Sequence, residues 1–288
     1  MTETKAAFWR GFSFRALFSR RVRTIAFVIF CMIFLTVIGM IGFFIPSTTY
    51  EVDFQAKNRM PEAAHLFGTD WLGRDMFART LKGLSTSIIV GASASVVSTI
   101  LALVFGVAAA TLGKKIDGVV TWFVDLFLSV PHLILLILIS IALGKGFFGV
   151  LIGVAATHWT SLTRIIRAEV LDLKNRPYIA AAKALGKGPL WIGMKHILPH
   201  VVPQFIVALI LLFPHAILHE ASITFLGFGL PPEQPAIGVI LSESMKYLSA
   251  GMWHLAVFPG LSLLVVVLLF DALGENLRLL LNPGTAHN

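Results

Sequence analysis

Two histidines four residues apart, His215 and His219, stand inside an otherwise apolar stretch of this chain. On a helix, positions i and i+4 share one face, and a neutral imidazole is a good ligand for nickel, zinc or copper. Glu220 follows directly in sequence but lies about 100° around the helix, so it is not an obvious third ligand. His158-Trp159 adds an imidazole in another apolar stretch, and Asp125, His132 and Asp271 lie in or at the edges of others. An ionisable side chain at membrane depth costs about 2.5–3.5 kcal/mol on insertion scales, so such groups face a bundle interior or a wet path. Two readings stay open. Asp125, His158, His215, His219 and Glu220 line a translocation pathway, with transient metal contact at His215 and His219. Alternatively, each is an interhelical hydrogen bond or an interfacial group.

The apolar stretches that carry these residues dominate the chain. It has 288 residues, 57% hydrophobic and 13% charged. A soluble domain averages about 25% charged residues, so the apolar excess must face something other than water. Six runs, near 24–45, 86–112, 119–143, 147–166, 201–226 and 255–277, each offer the roughly 20 residues that span a hydrocarbon core of about 30 Å. They must be helices, because every backbone N–H and C=O needs a partner where there is no water. Gly144-Lys145-Gly146 alone separates the third and fourth runs and predicts a tight helical hairpin. Small residues such as Gly91-Ala92-Ser93-Ala94-Ser95 permit close helix packing. The first run is too long for a signal peptide and lacks a small-x-small cleavage pattern, so it reads as a retained helix.

Net charge is +8, but the cations cluster at the ends of apolar runs and are not interleaved with exposed aromatics. They therefore report topology and not nucleic-acid binding. With the N-terminus inside, sixteen Lys and Arg fall on cytoplasmic pieces and seven on outer ones, which places both termini in the cytoplasm. The expected organisation is a basic cytoplasmic segment 1–23, a first membrane helix 24–45, and an extracytoplasmic loop 46–85. A five-helix core 86–278 follows, containing a cytoplasmic loop 167–200, and then a cytoplasmic tail 279–288. The single Cys31 excludes an intrachain disulfide.

Nothing assembles a catalytic site. There is no G-x-x-x-x-G-K-[ST], H-E-x-x-H or G-x-S-x-G, and no paired carboxylate within one run. The chain is expected not to be an enzyme and to bind no cofactor of its own. A secondary transporter or channel not driven by a partner ATPase is the alternative. A secondary transporter would usually show internal repeats or broken helices with paired central charges, and neither is evident.

Two segments that do not span are longer than a connector needs to be. In the outer loop, Gly68, Thr69, Asp70, Gly73, Arg74 and Asp75 either contact a partner or hold the loop in one shape. In the cytoplasmic stretch, Tyr178 to Leu185 is strongly helix-forming. Gly186-Lys187-Gly188-Pro189 then stops one helix and starts another, Leu190 to Ile197, which is expected to end at Leu198-Pro199. Small exposed side chains there let another protein approach the backbone, and Lys183, Lys187 and Lys195 suit an acidic partner or anionic headgroups.

Ala180-Ala181-Ala182, Gly186 and Ile197-Leu198-Pro199 resemble the "EAA…G…I-LP" signature of binding-protein-dependent ABC importer permeases. Gly68 to Asp75 resembles the "GTDxLGRD" element of the dipeptide, oligopeptide and nickel branch. Glu220-Ala221-Ser222 with Phe225-Leu226-Gly227-Phe228-Gly229 and Pro231-Pro232 is similar to that branch's "EAxxSFLGLGxxPP". Phe258-Pro259-Gly260 and Leu273 to Arg278 with Asn282-Pro283 match its C-terminal pattern. The resemblance covers nearly the whole chain, and the motifs occur in the family's order.

It implies an all-α integral membrane protein of about six transmembrane helices, type I ABC importer permease-like, in a bacterial or archaeal inner membrane. Tyr178, Ala180, Ala181, Ala182, Lys183, Leu185, Gly186, Lys187, Ile197 and Pro199 would form a coupling loop seated on an ATPase. The implied partners are a second, homologous permease, two ATPase subunits that use ATP and Mg, and an extracytoplasmic substrate-binding protein. Ala180 stands where the family usually has glutamate, which removes one charge-assisted contact. The histidines tilt the expected cargo from a short peptide towards nickel or a metallophore complex.

Overall fold

In the computed structural model, which describes residues 20–281, every regular element is a helix or a helical turn. Helix α1 (Arg20–Phe44) is followed by a loop with two 3-10 turns, Ser47–Tyr50 and Phe54–Ala56. Then come α2 (Met76–Thr111), α3 (Lys114–Ser129), α4 (His132–Ala142) and α5 (Gly146–Lys174). A short α6 (Pro177–Ala184) precedes α7 (Leu198–Phe225), α8 (Ile237–Met245) and α9 (His254–Leu281). Most of the basic segment 1–23 and the Asn282-Pro283 motif lie outside the described residues.

Among the described residues, four helical stretches are long and apolar enough to cross a membrane: Val22–Phe44, Met76–Thr111, Gly193–Phe225 and His254–Leu281. The third apolar run, 119–143, is not the single straight helix expected. It breaks at Val130-Pro131, and α3 and α4 meet at 97°. Proline has no N–H to donate and forces the preceding residue towards extended backbone; Val130 adopts φ −95°, ψ 137°. At 11 residues, α4 is about 17 Å long, half a hydrocarbon core. The fourth run lies within α5, a helix of 29 residues whose middle carries Thr157, His158, Thr160 and Thr163, so composition alone does not mark it as a span.

The second helix also starts ten residues before its expected position of 86. Asp75 caps it by accepting from the Ala78 N–H at 2.8 Å, so Arg79 and Lys82 belong to the helix and not to the outer loop. The segment after Pro189 differs as well. A helical turn, Pro189–Ile192, runs through a π-type turn, Gly193–Ile197, directly into α7. Pro199 lies just past the π-type turn, and the helix runs on through it into α7, so it does not end a helix.

Helices α2, α5, α7 and α9 form the packed centre, with α1 laid against α2 and α9. Hydrogen bonds sort the connections to two ends. At one, Gly146 N–H donates to Gly229 O at 3.0 Å and Ser140 Oγ to Phe228 O at 2.8 Å, which joins the α4–α5 hairpin to the end of α7. The 46–75 loop and α8 lie there too, so it is the loop end. At the other, Lys174 Nζ donates to Ala110 O at 2.6 Å, bringing the last turns of α5 and α2 together beside α6. This is the platform end.

Candidate functional site

At the platform end, α6 begins with Pro177 and buries Ile179 and Ala182 against the bundle. Its other face is bare. Ala180, Ala181 and Lys183 are exposed, Tyr178 is 43% exposed and Leu185 is 77% exposed. Gly186 closes the helix at φ +75°, where its N–H donates to Lys183 O at 2.9 Å and the Lys187 N–H to Ala182 O at 3.1 Å. This Schellman motif satisfies two terminal carbonyls, and glycine takes the left-handed conformation without a Cβ penalty. Lys187 lies over the Trp191 ring at 5.1 Å, and His196 packs between Tyr178 and Trp191. Ile197 is buried beneath, while Lys195 and Pro199 are exposed. The result is a rigid knob tipped by Leu185 and flanked by cations.

At the loop end, the 68–75 motif turns inward. Asp70 is fully buried: its Oδ1 accepts from the Leu72 and Arg74 N–H groups at 2.9 and 3.0 Å, and its Oδ2 from Arg74 Nε at 2.7 Å and Arg79 Nη1 at 3.0 Å. Both guanidiniums continue to Glu243 on α8, at 3.2 Å from Arg74 and 2.9 Å from Arg79. Asp75 pairs with His65 at 2.7 Å, Trp71 stacks on Tyr247 at 4.5 Å, and Thr69 Oγ1 donates to Ala56 O. Gly68 and Gly73 both hold positive φ. The motif's polar side chains thus build the loop and tie it to α2 and α8.

A Cβ on Gly73 would sit 1.7 Å from Asp53 O. Gly73→Ala is therefore expected to weaken the loop end by at least about 2 kcal/mol, since backbone strain and overlap with a carbonyl add. Limited proteolysis of residues 46–75 and thermal unfolding in detergent check this, and an unchanged loop contradicts it.

Inside the bundle, the polar residues separate into distinct groups. His215 is exposed, with Nδ1 at 3.2 Å from Leu211 O, and takes no part in an imidazole cluster. His219 turns instead to His132 and His158, with ring centroids at 4.5 and 5.0 Å. Glu220 is buried and accepts from Thr224 Oγ1 at 3.0 Å; that hydroxyl accepts from the Leu230 N–H at 3.2 Å, which pins the turn after α7. Asp125 is paired with Arg164, and Asp117 with Arg167 at 2.6 Å, so two ion pairs fasten α3 to α5. His132 is the residue that spacing did not bring forward. It lies 87 positions from His219, and only Pro131, which breaks the run just before it, hints that it turns inward.

The family described as "Binding-protein-dependent transport system inner membrane component" matches residues 102–285. The dipeptide transport system permease protein DppC of Bacillus subtilis is 31% identical over 256 residues, covering 88% of this chain and 80% of its own length. The oligopeptide permease OppC of the same organism is 32% identical over 257 residues, 88% of this chain and 84% of its own. A putative peptide transport system permease of Brucella suis is 35% identical over 237 residues, 82% of this chain and 78% of its own. Among solved structures, an inward-facing MetNI methionine ABC transporter superposes with a TM-score of 0.60 at 18% identity, covering 72% of this chain and 98% of that one. At that identity the likeness speaks for the fold.

Proposed function

The chain belongs to the family of binding-protein-dependent transport system inner membrane components, and from that premise we propose that it forms one half of the pathway through which an importer moves short peptides. It is a multi-pass permease subunit of an ABC importer and not an enzyme; ATP is hydrolysed by separate subunits. Such an importer works through a permease pair, ATPases and a binding protein.

One observation carries the structural part of the reading. The α6 knob, tipped by the 77% exposed Leu185, is covered by nothing among the described residues. An apolar tip on a rigid, capped helix beside Lys183 and Lys187 fits a cleft on another protein better than it fits water. We assign that cleft to an ATPase subunit, which makes the platform end cytoplasmic, the loop end extracytoplasmic, and both termini cytoplasmic. The excess of Lys and Arg on the platform side supports this orientation. The loop end, stiffened by the Asp70–Arg74–Arg79–Glu243 network, then faces the binding protein.

Short peptide is the cargo supported by the names of the relatives, the dipeptide and oligopeptide permeases. A metal-chelate cargo is the second reading, and the cluster of His132, His158 and His219 is what favours it. Uptake in a strain lacking the gene separates the two. Labelled di- and oligopeptides are expected to stop accumulating, while cell-associated nickel, cobalt and zinc stay level. Loss of metal accumulation with peptide uptake intact would reverse the order of the two readings.

A further inference from the structure

We propose that His132, His158 and His219 form a binding site for one late first-row divalent transition-metal ion, of the zinc, nickel or cobalt(II) class, at the break between α3 and α4. One ring nitrogen from each residue lies within 4.8 Å of the others. The ring centroids are 4.6 Å apart for His132–His158, 4.5 Å for His132–His219 and 5.0 Å for His158–His219. Bound imidazoles at about 2.0–2.1 Å from a tetrahedral ion have nitrogens about 3.4 Å apart, and side-chain torsion closes the remaining gap.

Two observations besides proximity point to a ligand. His132 Nε2 is buried without a hydrogen-bond partner among the described residues. His158 Nδ1 lies 2.9 Å from Val154 O, and a carbonyl only accepts, so Nδ1 carries the proton and the Nε2 lone pair is left free. A backbone carbonyl that sets the tautomer and direction of a ligating ring is the usual outer support of a metal-bound histidine.

The surroundings select the kind of ion. Three neutral imidazoles and no carboxylate suit zinc, nickel, copper or cobalt and exclude the hard cations calcium and magnesium. Glu220, next to His219, is bonded to Thr224 and does not join the cluster. A cavity of about 360 Å³, lined in part by Pro131, His132, Leu135 and Thr157, opens beside His132 and leaves room for a fourth ligand. His132 is also the first residue of α4, whose N-terminal dipole opposes a cation. An anionic fourth ligand, hydroxide or a carboxylate of the cargo, offsets that opposition.

The three residues come from α4, α5 and α7, so one ion would brace the broken helix against both neighbours. The site depends on this geometry alone and stands whether the cargo is a peptide or a metal complex.

The test uses the assembled importer in detergent, stripped with a chelator and titrated with cobalt(II). Expected is one cobalt per copy of this chain, with the visible bands of a four-coordinate, nitrogen-ligated ion. Affinity should drop about 100-fold or more in each of His132→Ala, His158→Ala and His219→Ala, and stay unchanged in His215→Ala. Where an alanine variant fails to assemble, the asparagine variant replaces it. Wild type binding no more cobalt than the triple variant overturns the proposal, as does binding lost on His215→Ala alone. ATP-dependent accumulation of radiolabelled zinc or nickel in proteoliposomes marks the ion as cargo, and an ion that stays bound during peptide transport marks it as resident. Both leave the site in place.

Discussion

Arg79→Met is expected to destabilise the loop end by about 3–5 kcal/mol, the usual cost of stranding one member of a buried ion pair. Arg79 is 2% exposed and bridges the fully buried Asp70 at 3.0 Å to Glu243 at 2.9 Å. Methionine keeps the volume and removes both charge-assisted bonds, leaving Arg74 to face two carboxylates. Because the pair is withdrawn from solvent, added salt should not mimic the loss. Asp70→Asn in the Arg79→Met background should return part of the stability, and the coupling in that double-mutant cycle should reach about 1 kcal/mol or more. Thermal unfolding in detergent and proteolysis of residues 46–75 measure both. A loss under about 1 kcal/mol, or strict additivity, would show that Arg74 alone holds the network.

Leu185→Glu is expected to lower transport by about tenfold or more while leaving the fold unchanged. Leu185 is 77% exposed, so its replacement removes almost no packing within the chain. If the knob sits in an ATPase cleft, a carboxylate at its tip loses an apolar anchor, and anchors of this kind contribute about 2 kcal/mol or more. The readout has three parts in reconstituted importer: assembly, ATP hydrolysis and uptake. Hydrolysis that continues without uptake, or an ATPase that no longer co-purifies, is the expected result. Normal coupled uptake by this variant would remove the knob from the interface. Lys183→Ala should have a smaller effect, because an exposed cation is worth about 0–1 kcal/mol.

Much of the scaffold was legible from residue types. The first helix ran from Arg20 to Phe44 against an expected 24–45, because an unbroken apolar stretch has few alternatives in lipid. The hairpin at Gly144-Lys145-Gly146 formed as its glycines require. The end of α6 at Gly186 was equally local, a C-cap written in adjacent residues. Where the pattern misled, a local signal was outweighed by hydropathy. Pro131 was present in the run 119–143, yet the run's apolar content hid the 97° break. Arg79 and Lys82 looked like loop because they are charged, although Asp75, four residues before Arg79, was already a cap. Pro199 read as a stop, yet the helix continues through it by way of a π-type turn.

The candidate site divides in the same way. The knob is a contiguous stretch, so Ala180 to Lys187 could be read directly. The histidine cluster joins positions 132, 158 and 219, and the i, i+4 spacing of His215 and His219 carried no sign that His219 meets His132 and His158. Two histidines on one helix face need not share a partner when that face is split between the bundle interior and its surface. Likewise Asp70 and Arg74 were recognisable as a motif, but the pairing of Arg74 with Glu243 spans 169 residues.

By itself, then, the sequence determined a helical membrane protein, its orientation signal, the helix capped at Gly186 and the absence of a G-x-x-x-x-G-K-[ST] motif. Hydrophobicity, proline and glycine geometry, and charge placement act over a few residues, and they leave their record in local order. Only the tertiary structure decided which buried polar groups meet: Arg79 with Asp70 and Glu243, Glu220 with Thr224, and His132 with His158 and His219. Those pairings depend on how helices cross and where one of them bends, and sequence separation carries no measure of that distance.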